Sequence, residues 1–249
     1  MIAQLDTKTV YTFMESLVTI KDYVQVAKSM GYDALGIMDV DNLYGVYEFI
    51  EACQAHNLSP LVGLEVGLEI DNETIPFRMI ALSTRGYQNL MKMSTLKMMG
   101  KNNWEDVKHL TEGVAVIVPA PFASEDLPLG LDYFIGVFAD TLVQEFSHPV
   151  LPLHTVRFFE EEDVEAMQML AAIKDNQSLT ETGPIDPTTV LKTPQDLKSD
   201  FAERFPQAIT NLEKLVQGIQ YDIDTQLKLP RFNPQKPAVE ELRELAQAG

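Results

Sequence analysis

Short apolar runs alternate along this chain with longer stretches in which apolar residues recur at helical spacing. The runs at 2–5, 34–38, 61–68, 74–82, 114–118, 133–137 and 150–153 predict strands. Between the first two, Tyr23, Val24, Val26, Ala27 and Met30 recur at helical spacing, with Thr19 as the expected N-cap and Gly31 as the stop. A turn rich in Asp39, Asp41 and Asn42 leads into a second helix carrying Val46, Phe49, Ile50 and Cys53. A Met-rich helix is expected over 87–99, and the acidic run 160–163 opens another through Ile173, suited to the positive end of the helix dipole. Strands interleaved with helices in this way predict an α/β fold, a parallel sheet or barrel with helical crossovers.

The texture changes past the loop marked by Pro184 and Pro187. Two polar amphipathic helices, 194–205 and 206–219, follow without interleaved strands. The proline-bearing segment 229–237 is expected to be a stiff linker, and a last helix begins at Val239. A helix that starts so near the final residue reads as the front of something longer.

Composition narrows the function. Of 249 residues, 45% are hydrophobic, enough for a substantial core. Nineteen Lys and Arg against thirty-seven Asp and Glu give a net charge of −18, which disfavours a free-standing binder of nucleic-acid phosphates or anionic membrane. The single cysteine, Cys53, makes neither an internal disulfide nor a cysteine-rich zinc site, and its apolar helical setting predicts a buried thiol. No signal-like or membrane-spanning run is visible, and a cytoplasmic location is expected.

Phosphate-loop, nucleophile-elbow and zinc-helix motifs are missing from the sequence, and the four histidines, His56, His109, His148 and His154, are scattered. The informative polar residues sit at the ends of predicted strands. In a β/α barrel those positions line the active-site mouth, which singles out Asp6, Asp39 and Glu65, with His154 and Arg157 on the same rim. Asp39 to Asn42 also fits a plain helix-capping turn.

Three ordered segments carry a resemblance: Gln4-Leu5-Asp6-Thr7-Lys8-Thr9, Ile37-Met38-Asp39-Val40-Asp41-Asn42-Leu43-Tyr44-Gly45 and Pro60-Leu61-Val62-Gly63-Leu64-Glu65-Val66. Gly86-Tyr87-Gln88-Asn89-Leu90, His154-Thr155-Val156-Arg157, and Leu229-Pro230-Arg231-Phe232 with Glu240-Glu241-Leu242-Arg243 extend it. Together they resemble the N-terminal polymerase and histidinol phosphatase (PHP) domain of bacterial DNA polymerase III alpha subunits, over essentially the whole chain. The resemblance implies a distorted (β/α)7 PHP barrel at 1–195, then a helical connector and the start of a polymerase core at 196–249. It further implies the palm and thumb of the same full-length chain as partners, DNA contact only through that full-length polymerase, and further replisome subunits. No cofactor is expected in this stretch; magnesium would belong to the palm.

Active PHP domains hold up to three metal ions through a His-x-His pair, an Asp-His, a Glu, a central His and a late Asp-x-His. Carried over position by position, the resemblance gives Asp6 and Lys8, Asp39 and Val40, Glu65, then Thr155 and Arg157, with no aligned central histidine. Three carboxylates and no imidazole remain. Lys8 and Arg157 place permanent positive charge where metals need neutral ligands, so a metal-free salt-bridge cluster of Asp6, Lys8, Asp39, Glu65 and Arg157 is expected, without catalytic residues. The expected role is non-catalytic support of a replicative polymerase core; a metal-dependent phosphoesterase or 3′–5′ proofreading exonuclease is the alternative.

Overall fold

A computed structural model describes residues 2–124, 127–221 and 235–248. Seven strands form one sheet in chain order: β1 (Ala3–Gln4), β2 (Ala34–Ile37), β3 (Ser59–Ile70), β4 (Glu73–Ala81), β5 (Val114–Pro119), β6 (Phe134–Val137) and β7 (Val150–Pro152). The sheet curls until its two edges meet just past β1 and β7. There Thr7 and Val156 form a parallel bridge, with the Lys8 N–H donating to the Val156 carbonyl and the Val156 N–H to the Asp6 carbonyl, both at 2.9 Å.

The crossover helices follow the expected pattern. Helix α1 (Ile20–Met30) is capped by the Thr19 hydroxyl and ended by Gly31 in the left-handed conformation, and α2 (Val46–Ala55) links β2 to β3. The fully parallel sheet does not hold, however. β4 runs antiparallel to both β3 and β5, because only Asp71 and Asn72 separate β3 from β4. Both take positive φ, 50° and 68°, as in a type I′ hairpin turn, and two residues leave no room for a crossover. β4 leads into α3 (Thr84–Met98), α4 (Trp104–Val107) and a 3-10 turn at Lys108–Leu110, which return the chain beside β4 for β5. Gly86 makes that return possible, since a Cβ there would sit 1.8 Å from the Gly113 carbonyl oxygen.

Alternation along each strand sorts the core into two faces. On the outer face Val62, Leu64, Val66, Phe77 and Met79 pack with the helices. On the inner face Leu5, Met38, Leu61, Ile80, Ile117 and Leu153 pack together. After the loop at Pro184 and Pro187 come α6 (Pro194–Ala202) and α7 (Pro206–Gly218); α5 (Val164–Asp175) precedes that loop and continues a 3-10 turn at Glu161–Asp163 that a Glu160–Asp163 capping box opens. Phe201 and Phe205 are buried in the outer cluster, while Leu212, Leu215 and Val216 of α7 join the inner one. The Asn211 side chain donates to the carbonyl of Val150 at the start of β7, so α7 fills the end of the barrel where the strands begin. Most of the expected linker at 229–237 lies outside the described residues. Helix α8 (Ala238–Ala248) forms as expected from Val239 onward and buries none of its side chains. Among the described residues no helix is long and apolar enough to cross a membrane.

Candidate functional site

At the other end of the barrel, where β1, β2 and β7 finish, polar side chains converge in an otherwise apolar interior. Asp6, Lys8 and Asp39 are almost completely buried. The Lys8 ammonium lies at the centre, 2.5 Å from Asp6 Oδ1 and 2.7 Å from Glu65 Oε2, and donates to the Met38 carbonyl at 2.7 Å. Two hydrogen-bond acceptors and a further ion-paired carboxylate therefore surround the cation. The second Asp6 oxygen accepts from the Thr155 hydroxyl at 2.7 Å and lies 3.5 Å from Arg78 Nε.

Burial would push the Asp6 carboxyl up. The Lys8 ammonium, the Arg78 guanidinium and the hydrogen bonds from Lys8 and Thr155 outweigh it, holding the group well below the usual carboxylate range.

Asp39 is satisfied differently. Its Oδ1 accepts from the Thr9 N–H and the Thr12 hydroxyl, and its Oδ2 from the Thr9 hydroxyl, each at 2.7 Å. Backbone pairing of Glu65 with Asp39 and Asp41 draws the end of β2 against β3. Val40 donates its N–H to Thr12 Oγ1 at 3.2 Å, and its carbonyl accepts from the Asn42 side chain at 2.9 Å.

Of the expected five-residue ion cluster, Asp6, Lys8 and Glu65 come together, while Asp39 is held by Thr9 and Thr12 rather than by a cation. Arg157 does not join it. It lies past the closing bridge, where the Leu17 N–H binds its carbonyl, and its guanidinium donates to the carbonyl and carboxylate of Glu15 at 2.9 and 3.1 Å. Lys174 reaches the same carboxylate at 2.5 Å. The second cation of the cluster is Arg78, whose guanidinium lies 3.1 Å from Glu65 Oε2 and donates to the Pro76 carbonyl at 2.7 Å. Arg78 and Glu65 are register partners across the β3–β4 hairpin, both facing inward. Arg78 was missed by the sequence reading, although it is the only charged residue between Ile75 and Leu82 and so stands out on an apolar strand.

His154 turns away from the cluster. Its Nε2 donates to the Val190 carbonyl at 2.7 Å, and burial depresses its pKa, which favours the neutral ring. Of the other histidines, His56 contacts the Ala52 carbonyl and His148 stacks on Tyr133. Among the described residues no three His, Cys, Asp or Glu side chains form a group that could hold a metal ion. The oxygens of this cluster are already engaged by groups of the protein itself. The space between Asp6 and Glu65 is filled by an ammonium, and the free valences of Asp39 are taken by hydroxyl and amide protons.

An α/β barrel with its polar side chains gathered past the strand ends defines the class of domain. The PHP domain profile matches residues 4–142, and the chain belongs to that family. Over its whole length the chain is 46% identical to DNA polymerase III subunit alpha of Streptococcus pyogenes serotype M3 (strain ATCC BAA-595 / MGAS315), within the N-terminal region of that protein. The subunit of the same name from Bacillus subtilis (strain 168) is 26% identical over 263 aligned positions, covering 89% of this chain and 23% of that protein. The chain spans 24% of the length of the streptococcal relative. In fold it is similar to a putative metal-dependent phosphoesterase from Bifidobacterium adolescentis, with a TM-score of 0.41 and 12% identity over 80% of this chain and 96% of that one.

Proposed function

We propose that this chain is the PHP module of a replicative DNA polymerase III alpha subunit, and that it supports the polymerase core without hydrolytic chemistry of its own. One observation carries the reading: the Lys8 ammonium occupies the centre of the carboxylate cluster where a metal-dependent hydrolase needs its ion. A divalent cation there would face a permanent positive charge a few ångströms away at low dielectric, with Arg78 adding a second. It would also have to displace hydrogen bonds that already satisfy both oxygens of Asp6 and of Asp39. Hydrolysis of a phosphoester calls for metals that activate water and hold the displaced oxygens, and these residues offer no such set.

In this reading the cluster closes and specifies the barrel mouth, since buried ion pairs contribute little net stability once desolvation is counted. The palm and thumb of the longer chain are its partners, DNA is met through those domains, and the nucleotidyl-transfer carboxylates with their magnesium belong to the palm. The working compartment is the cytoplasm, where replication occurs. A direct test incubates the purified chain with Mn²⁺ or Zn²⁺ and a 3′-mismatched primer–template, and separately with a chromogenic phosphodiester. Cleavage no faster than in buffer is expected. Turnover that vanishes in Asp6→Asn would establish the hydrolase reading instead.

A further inference from the structure

The segment between β1 and α1 crosses the barrel mouth with its side chains turned against the usual sense. Thr9, Thr12 and Ser16 are buried, at 5% exposure or less, while Val10 and Phe13 between them stand 43% and 75% exposed. Hydroxyls inward and apolar groups outward is the pattern of a cover over a polar site, since a buried hydroxyl needs a partner and here finds one beneath it. Thr9 and Thr12 bind the Asp39 carboxylate, and the Ser16 hydroxyl lies 2.7 Å from the Lys8 carbonyl and 3.0 Å from that of Arg157.

The backbone makes this segment a separable piece. The Val10 N–H donates to the Val18 carbonyl at 3.0 Å, so residues 10–18 form a compact loop closed at its own neck. Among the described residues, one backbone–backbone bond runs from 11–17 to chain outside 9–18, from the Leu17 N–H to the Arg157 carbonyl at 2.9 Å. The other holds involve side chains. Asn42 Nδ2 donates to the Tyr11 carbonyl at 3.0 Å, and the Val40 N–H to Thr12 Oγ1 at 3.2 Å. Glu15 ties the loop to the other side of the mouth: its carboxylate lies 3.1 Å from the Arg157 guanidinium and 2.5 Å from the Lys174 ammonium of α5, all three side chains partly exposed. At the tip, Met14 takes a positive φ of 58°, a costly setting for a residue with a side chain.

We propose that residues 10–18 are a lid that swings about its Val10–Val18 neck and is latched shut by the contact of Glu15 with Arg157 and Lys174. Its opening is the route by which water and small reagents reach Lys8 and its carboxylates. A loop with few backbone bonds to the body, an exposed tip and a surface latch belongs to the low-stability end of local opening, whereas the strands beneath it are tied into the seven-stranded sheet. The opposite end of the barrel is plugged by Leu212, Leu215 and Val216, which leaves the mouth as the way in. Arg157, which the ion cluster does not use, thereby has a place as half of the latch. The lid uses only contacts within this chain and holds whether or not the longer protein is a polymerase.

Hydrogen exchange and lysine labelling on the full 249-residue chain test it. The Leu17 and Val40 amides, both released when the loop lifts, should exchange faster than the amides of β4. Glu15→Gln removes both ion pairs of the latch and should speed exchange at Leu17 and Val40 about three- to tenfold, the range expected for the loss of two partly exposed pairs, with β4 unchanged. Limited acetylation with acetic anhydride, read by peptide mass spectrometry, should label the buried Lys8 faster by the same factor. Loop and β4 amides accelerating together would mean global opening and no lid. Faster loop exchange with constant Lys8 labelling would mean that the cluster is reached by another path, and no change in either would mean that Glu15 latches nothing. Each of these results overturns the proposal.

Discussion

Lys8 is the residue on which the site turns. A lysine is almost never fully buried unless paired, and here its ammonium is held by Asp6, Glu65 and the Met38 carbonyl. Lys8→Met should cost about 3–5 kcal/mol in urea unfolding, because it strands the buried Asp6 and Glu65 carboxylates beside Arg78 alone. A triple variant that also carries Asp6→Asn and Glu65→Gln should recover part of the loss, with a coupling of about 0.5–3 kcal/mol. The cluster also sets an acid limit. The folded chain keeps Asp6 ionised where the unfolded chain, titrating near about pH 3.9, takes up a proton. Its contribution is complete above that pH and is lost only as pH falls below it toward the depressed folded pKa. Asp6→Asn should therefore lower stability at neutral pH and flatten the acid limb of a stability–pH curve. His154 acts in a higher window. Its pKa is lowered in the fold, so stability should decline as pH drops through about 6.5, and His154→Gln should remove that slope. At this scale the sequence disclosed the three carboxylates and Lys8 but placed Arg157 wrongly. Two residues past Thr155 the chain has already crossed the closing bridge, and Glu15 is the acid within reach.

Arg78 shows what an element adds to a residue. The β3–β4 hairpin pairs Ile70 with Glu73 around a two-residue turn, and counting back along both strands brings Glu65 opposite Arg78. The Asp71-Asn72 turn signal and the lone charge on an apolar strand were both legible. Reading that segment as one more crossover strand hid the register, since a parallel β4 would not have set the two opposite. The turn is open to a specific check. Asn72→Val, forced into positive φ, should cost about 1–2 kcal/mol, whereas Asn72→Gly should be close to neutral in thermal unfolding. Capping of the first helix was read more securely, because Thr19 and Gly31 act through local backbone geometry that needs no tertiary partner.

Over the whole molecule the two ends of the barrel are closed by different means. Leu212, Leu215 and Val216 of α7 fill the end where the strands begin, and the ion cluster spans the end where β1, β2 and β7 finish. The sequence showed α7 as an amphipathic helix but not its seat, because its apolar stripe fits any apolar surface and only the closed sheet selects one. The net charge of −18 is consistent with a module that leaves phosphate contacts to other domains of a longer polymerase. The central claim, that Lys8 and Arg78 have taken the place of metal, is tested most directly by elemental analysis with anomalous scattering on protein equilibrated with Zn²⁺ and Mn²⁺ and then freed of excess ion. The account predicts substoichiometric metal and no anomalous peak between Asp6, Asp39 and Glu65. One or more equivalents of ion bound by those carboxylates, with Lys8 displaced, would contradict it.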